Sequence, residues 1–321
     1  MEPISELVLK LGSADYFERQ SAAWRLVEAG SGAVDPLLEA LEGDENPQVR
    51  FKAAWALGKM GERKAVGPLA TALSLDEDPA VREWAASALE AIGDPRAVPG
   101  LAQSLATDPS GEVRLRSSLA LVAFGAVDAF EELLGRGDLE AKRMAVVALG
   151  RLRSAGSLPL VAPFVGAEDP ELRRRASWSL GEMGTEAAAP HIAPALSDDA
   201  PAVRMEAAKS LGKIEGLEAC RMAASLLEDP DPRVRLAAVT ALGEIGHPDG
   251  LDRLVAVLFG GDDEEIRAWA AWSLGEIGDI RAIEPLQEAC LRCSPKVREK
   301  ALDSLVEVFG IGGGEKGDGG I

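Results

Sequence analysis

The chain has 321 residues, 34 basic against 53 acidic, for a formal net charge of −19, with 47% hydrophobic and 27% charged residues. That composition is ordinary for a folded globular chain, and the charge disfavours non-specific association with nucleic acid or an anionic membrane. No apolar run approaches the ~18 residues that a membrane span requires; three cysteines make no disulfide framework, and Met1 to Lys10 lacks a basic-then-apolar leader, so a reducing cytoplasm is expected.

From near Ser13 onward the chain repeats itself, which decides the architecture. The segment VRFKAAWALGKMG from Val49 returns as VREWAASALEAIG from Val81, LRRRASWSLGEMG from Leu172, VRLAAVTALGEIG from Val234 and IRAWAAWSLGEIG from Ile266. The basic residue anchors a register: Arg19, Arg50, Arg82, Arg114, Lys142, Arg173, Arg204, Arg235, Arg267 and Arg298. The spacings are 31, 32, 32, 28, 31, 31, 31, 32 and 31 residues, which makes ten repeats with a 31-residue period.

Each repeat predicts two helices. The first opens with Pro in or near its first turn, as at Pro36, Pro68, Pro99, Pro159, Pro190 and Pro285, where the missing N–H costs little. A turn follows, often Asp-Pro, as at Asp78-Pro79, Asp108-Pro109, Asp169-Pro170 and Asp231-Pro232. The anchored second helix ends near Gly30, Gly61, Gly93, Gly125, Gly184, Gly246 or Gly278, the expected stop. No segment shows strand alternation.

Counted from the anchor at ~100° per residue, the second helix divides into three arcs. Positions −1, +3, +6, +7 and +10 form a core arc: +7 is Leu in all ten repeats, and +3 is Ala nine times and Ser117 once. Positions +4 and +8 are mostly small, as in Ala54/Gly58 and Ser177/Gly181. A mid-helix Gly costs roughly 1 kcal/mol against Ala, so its recurrence predicts close approach of the neighbouring repeat. Positions +1, +2, +5 and +9 vary widely in residue type and point away from the core.

These units resemble HEAT-like repeats of the phycobilisome-lyase class, whose hallmark D-P-x-V-R-x-x-A-A-x-A-L-G-x-I-G is followed almost throughout by Asp231 to Gly246. The resemblance covers about Ser13 to Phe309 and implies an all-α fold, an α-α superhelix of about ten two-helix repeats. One solenoid is expected over residues 1–309, with a flexible Gly-rich tail over 310–321. In such repeats an Asp six residues before the Arg helps form a ladder, and Asp44/Arg50, Asp76/Arg82, Asp108/Arg114, Asp198/Arg204 and Asp229/Arg235 fit. The fifth repeat departs, with Arg136 and Lys142 and the short spacing, so an irregularity is expected there. The resemblance also implies that the second helices line a concave groove.

All six tryptophans fall on the variable arc, Trp24, Trp55, Trp178 and Trp272 at +5 and Trp84 and Trp269 at +2. Packing against the next repeat is one reading; anchoring a partner is the other, since Trp is enriched among interface hot spots. In repeats four to seven the arc carries Arg116, Arg143, Arg151, Arg174, Arg175, Lys209 and Lys213 against Glu182 and Glu206. Repeats eight to ten reverse the sign, with Glu244, Glu276, Glu299, Asp303 and Glu307 against Lys300. A solvated mixed-charge face competes with a basic central patch that selects an acidic segment of a partner.

The pair Cys290-Leu-Arg-Cys293 is by itself a weak zinc signal. Cys290 aligns with Leu73 and Leu105 and is expected to be a buried thiol, with Cys220 core-facing too. His191 and His247 have no catalytic neighbour in sequence. Deoxyhypusine hydroxylase is built from similar repeats but binds iron through paired His-Glu motifs, and the chain has no His-Glu dipeptide. Neither a metal site nor a cofactor nor a catalytic residue is expected. The sequence therefore predicts a non-catalytic protein-binding scaffold or adaptor, with the tryptophans and cations above as its groove and a protein or peptide as partner. Bilin-lyase-like tetrapyrrole handling, supported by fold analogy alone, and HEAT-like nucleic-acid binding are the alternatives.

Overall fold

The computed structural model describes residues 2–310. The expected Gly-rich tail, apart from Gly310, lies outside the described residues. The chain divides within the fifth repeat into two compact units, Met1–Ala148 and Leu149–Ile321.

The first unit contains α1 (Ile4–Lys10), α2 (Tyr16–Glu28), α3 (Val34–Gly43), α4 (Pro47–Met60), α5 (Val66–Leu75), α6 (Pro79–Ile92), α7 (Val98–Thr107), α8 (Gly111–Ala123), α9 (Val127–Arg136) and most of α10 (Leu139–Arg151). The second contains α11 (Leu158–Val161), α12 (Pro170–Met183), α13 (Ala189–Ile192), α14 (Pro201–Gly212), α15 (Leu217–Ser225), α16 (Pro232–Ile245), α17 (Leu251–Leu258), α18 (Glu264–Ile277), α19 (Ile283–Arg292) and α20 (Pro295–Glu307). These are ten helix pairs in the expected register, every even-numbered helix carrying an anchor, and no strand occurs among the described residues. None of the described helices is long and apolar enough to cross a membrane.

The start of each second helix is set locally. Asp78 and Asp231 sit at N-caps and accept from the backbone N–H two residues on, with Pro79 and Pro232 in the first turn. The stop is equally local: all seven expected glycines take positive φ, between 62° and 69°, where a side chain would be strained. Two first helices depart from expectation. After α11 and α13 the chain tightens into 3-10 turns over Ala162–Gly166 and Ala193–Ser197. Pro163 and Pro194, four residues after Pro159 and Pro190, have no N–H for the next α-helical bond.

The core arc is as expected. All ten +7 leucines, from Leu26 to Leu305, are buried, as are the +3 residues; each Leu stabilises its unit by about 1.5–3 kcal/mol. The small +8 residue is an inter-repeat contact. A Cβ on Gly58 would lie 2.7 Å from the Ala88 Cα, and one on Gly181 2.7 Å from the Ser210 Cα, the +6 position of the next repeat in both cases.

An arginine–aspartate ladder runs along each unit. Arg50 donates from Nε and Nη2 to the Asp76 carboxylate at 2.7 and 2.8 Å, and from Nη1 to the carbonyl of Asp44. The Asp side chain thus serves the preceding repeat's Arg, while its backbone carbonyl serves its own. Arg82–Asp108, Arg173–Asp198 and Arg204–Asp229 repeat the pattern. At the irregular fifth repeat Arg114 turns instead to Asp138, beside the short Gly137-Asp138 connection between α9 and α10. At the other end Arg267 donates to Cys293 Sγ at 3.4 Å, the thiol standing where earlier repeats have an aspartate.

Cys293 and Cys220 are buried, but Cys290 is only half-buried, contrary to expectation. Its helix belongs to the last pair, and no further repeat among the described residues covers that side; Leu302 and Val306 on α20 are exposed for the same reason. His247 caps a 3-10 turn, its Nδ1 accepting from the Asp249 N–H at 3.2 Å, a role that Asp94 and Asp279 fill elsewhere.

Candidate interaction faces

In the first unit the variable arc of α2, α4 and α6 is a continuous strip of rings. Trp24 meets Trp55 edge to face at 5.0 Å between centroids, and Phe51 stacks with Trp84 at 6.2 Å. Between the two pairs lies Lys52, its Nζ 5.4 Å from the Phe51 centroid and 5.8 Å from that of Trp55. The rings therefore do touch across repeat boundaries, yet Trp24 remains 51% exposed and Trp84 36%. Phe17, seven residues before Trp24 and so on the same side of α2, is exposed as well.

In the second unit Trp178, Trp269 and Trp272 are half-buried. Trp269 and Trp272 meet edge to face at 5.3 Å within α18, and Lys213 Nζ lies 5.8 Å from the Trp178 centroid. A cavity of about 730 Å³ opens between Trp178 and Trp269, with Met205, Leu236, Ala237 and Thr240 among its lining. Every lining residue stands at −2, +1, +2, +5 or +9 of α12, α14, α16 or α18. The variable arc thus borders an open cleft of a size that takes several side chains.

The cations on this arc are mostly engaged. Arg174 bridges Glu171 at 2.8 Å and Glu206 at 2.9 Å, and Arg175 reaches Glu171 at 2.7 Å. Those two guanidiniums, Arg174 foremost, hold the Glu171 carboxyl at a pKa of about 2 against the opposing effect of burial. Arg143 pairs with Glu140 at 3.1 Å, Arg116 with Glu83 at 3.9 Å, and Lys213 with Glu182. Arg151 and Lys209 are exposed. The Glu244 carboxyl, in the cavity lining, is pushed above the usual carboxylate range by partial burial, with Lys213 opposing.

The positive excess counted on four arc positions is therefore offset by a fifth. Glu140 and Glu171 stand at −2, one turn before +1 and +2, where i,i+3 and i,i+4 pairing brings them onto the same face. Arg233 and Glu265, also at −2, line the cavity. Helical spacing alone signals this position; Lys52 was equally visible at +2.

The HEAT-repeat profile matches residues 4–74, 34–122, 160–224 and 221–306. The chain belongs to the HEAT-repeat family. Its HEAT repeats share their fold with an engineered protein over 96% of this chain and 99% of that one, at 22% identity and a TM-score of 0.51. Kap95p, in a structure of its complex with RanGDP, matches over 95% of this chain and 48% of its own, at 16% identity and a TM-score of 0.61. At the level of sequence the repeats are 30% identical to the CpcE–CpcF phycocyanin lyase of Nostoc sp., over 69% of this chain and 92% of that one, with a TM-score of 0.36. Among curated proteins, none matches the chain.

Proposed function

We propose that this HEAT-repeat protein is a non-catalytic scaffold or adaptor that captures a protein or peptide on the variable face of its second helices. The observation that carries this reading is the cavity between Trp178 and Trp269, about 730 Å³ in volume and lined by side chains at −2, +1, +2, +5 and +9, outside the +3 and +7 core positions. Two rings at its margins supply large apolar area at little entropic cost, the property that makes Trp a recurrent anchor. The candidate contacts are Trp24, Trp55 and Trp84 on one unit and Trp178, Trp269 and Trp272 on the other. Lys209 and Arg151 are the exposed cations left to meet an acidic segment. Three free thiols fit a reducing, cytoplasmic setting.

A photo-cross-linking side chain in place of Thr240, inside the cavity, tests the reading in the native organism. A discrete protein adduct that disappears in the Trp178→Ala background supports it. An adduct pattern indifferent to that substitution contradicts it.

A further inference from the structure

Lys52 is 9% exposed, and among the described residues its ammonium has one hydrogen-bond acceptor, Gln20 Oε1 at 3.1 Å. An ammonium carries three donors, and no carboxylate among the described residues stands within ion-pair distance of this one. The rings of Phe51 and Trp55 at 5.4 and 5.8 Å offer quadrupole attraction but no lone pair. Burial pushes its pKa below the lysine range, and Arg19 adds a second positive charge that pushes the same way. Arginines of the ladder on the same helices lie buried with bidentate aspartates; Lys52 is a buried cation without that compensation, an arrangement that costs stability.

Aromatic rings flank this cation on two sides. A chain of ring contacts runs from Trp24 through Trp55 to Lys52, then through Phe51 to Trp84, and both ends of the chain are solvent-exposed. We propose that the first unit docks a partner segment in which an Asp or Glu carboxylate pairs with Lys52 while a neighbouring bulky apolar side chain lies on Trp24 or Trp84. The carboxylate supplies the acceptors that Lys52 lacks, and the apolar side chain covers the exposed rings. Acidic segments without an apolar neighbour meet a net charge of −19 with nothing to offset it. The proposal rests on the protein-binding reading and gives it a second face and a partner chemistry.

The test is selection of random twelve-residue peptides displayed on phage against the full chain at physiological salt, followed by affinity measurement on synthetic copies. The expected winners carry Asp or Glu beside Trp, Phe, Leu or Ile. Their Kd weakens about tenfold or more in Lys52→Met, as for a lost hydrogen bond to a charged group, and stays within a few-fold in Lys52→Arg. Lys52→Met keeps the aliphatic stem, and an unchanged thermal melt separates lost binding from lost fold. Winners without an acidic residue, acidic winners indifferent to Lys52→Met, or no winners at all overturn the proposal. A Thr240 cross-link that persists under any of those outcomes leaves the protein-binding reading standing by itself.

Discussion

Arg82 grips the carboxylate of Asp108 across a repeat boundary with two donors, at 2.8 and 3.0 Å, and the two side chains are only 10% and 5% exposed. A third donor of the same guanidinium goes to the Asp76 carbonyl, which closes the turn of its own repeat. One side chain thus fixes both the turn within a repeat and the spacing to the next. Removing one partner leaves the other charged and unpaired in a dry place. Asp108→Ala is expected to lower the stability of the first unit by about 3–5 kcal/mol in urea unfolding; a loss under 1 kcal/mol would show that the ladder is ornamental.

The same pairs set an acid limit. Arg173 and Arg204 hold Asp198 and Asp229 below the ordinary aspartate pKa of 3.8. Because the folded values are depressed, these groups stabilise the second unit at every pH above 3.8. That contribution is lost as pH falls from there through the folded values. Acid titration followed by circular dichroism should show cooperative unfolding in that window, and Arg204→Met should shift the transition to higher pH.

Glycines at +8 separate close approach from mere helix placement. Gly181→Ala places a methyl 2.7 Å from the Ser210 backbone and is expected to cost about 1–3 kcal/mol by overpacking. Gly135, near the end of α9, has nothing within 4 Å of a built Cβ, so Gly135→Ala is expected to gain up to ~1 kcal/mol. Paired thermal melts decide; equal effects of the two substitutions would refute the contact.

Lys52 gives a basic-side counterpart. Burial lowers its pKa, so the unfolded chain holds the proton more tightly and stability rises as pH climbs through the depressed value toward 10.5. Lys52→Met should abolish that rise and melt no lower than the native chain at neutral pH. A destabilised variant would mean that the contacts with Phe51 and Trp55 outweigh the desolvation cost.

The sequence was most informative where one residue type answers one local demand. Leu at +7 in every repeat announced the core, and the recurrent Gly at +8, as at Gly58 and Gly181, announced the repeat contact because a side chain there meets a 2.7 Å approach. Pro163 and Pro194 were just as visible, yet their shortening of α11 and α13 follows from where the preceding Pro already placed the helix start. Charge was the least legible property. Arg174 and Arg175 looked free until Glu171, outside the four arc positions, proved to share their face. Cys290 and Leu73 occupy one register but differ in burial, since among the described residues no further helix pair covers α19 as α7 covers α5. Periodicity reports direction from a helix axis; it carries no information on what arrives from the next helix.

Protein capture by the variable face is tested most directly by quantitative co-purification from the native organism. The measurement compares the native chain with the Trp178→Ala/Trp269→Ala double variant at matched thermal stability. A specific partner is expected to be recovered with the native chain and to bind the variant at least ~100-fold more weakly, as for two hot-spot rings. Equal recovery by both proteins, or a melting temperature that collapses in the variant, would contradict it and return these rings to structural packing.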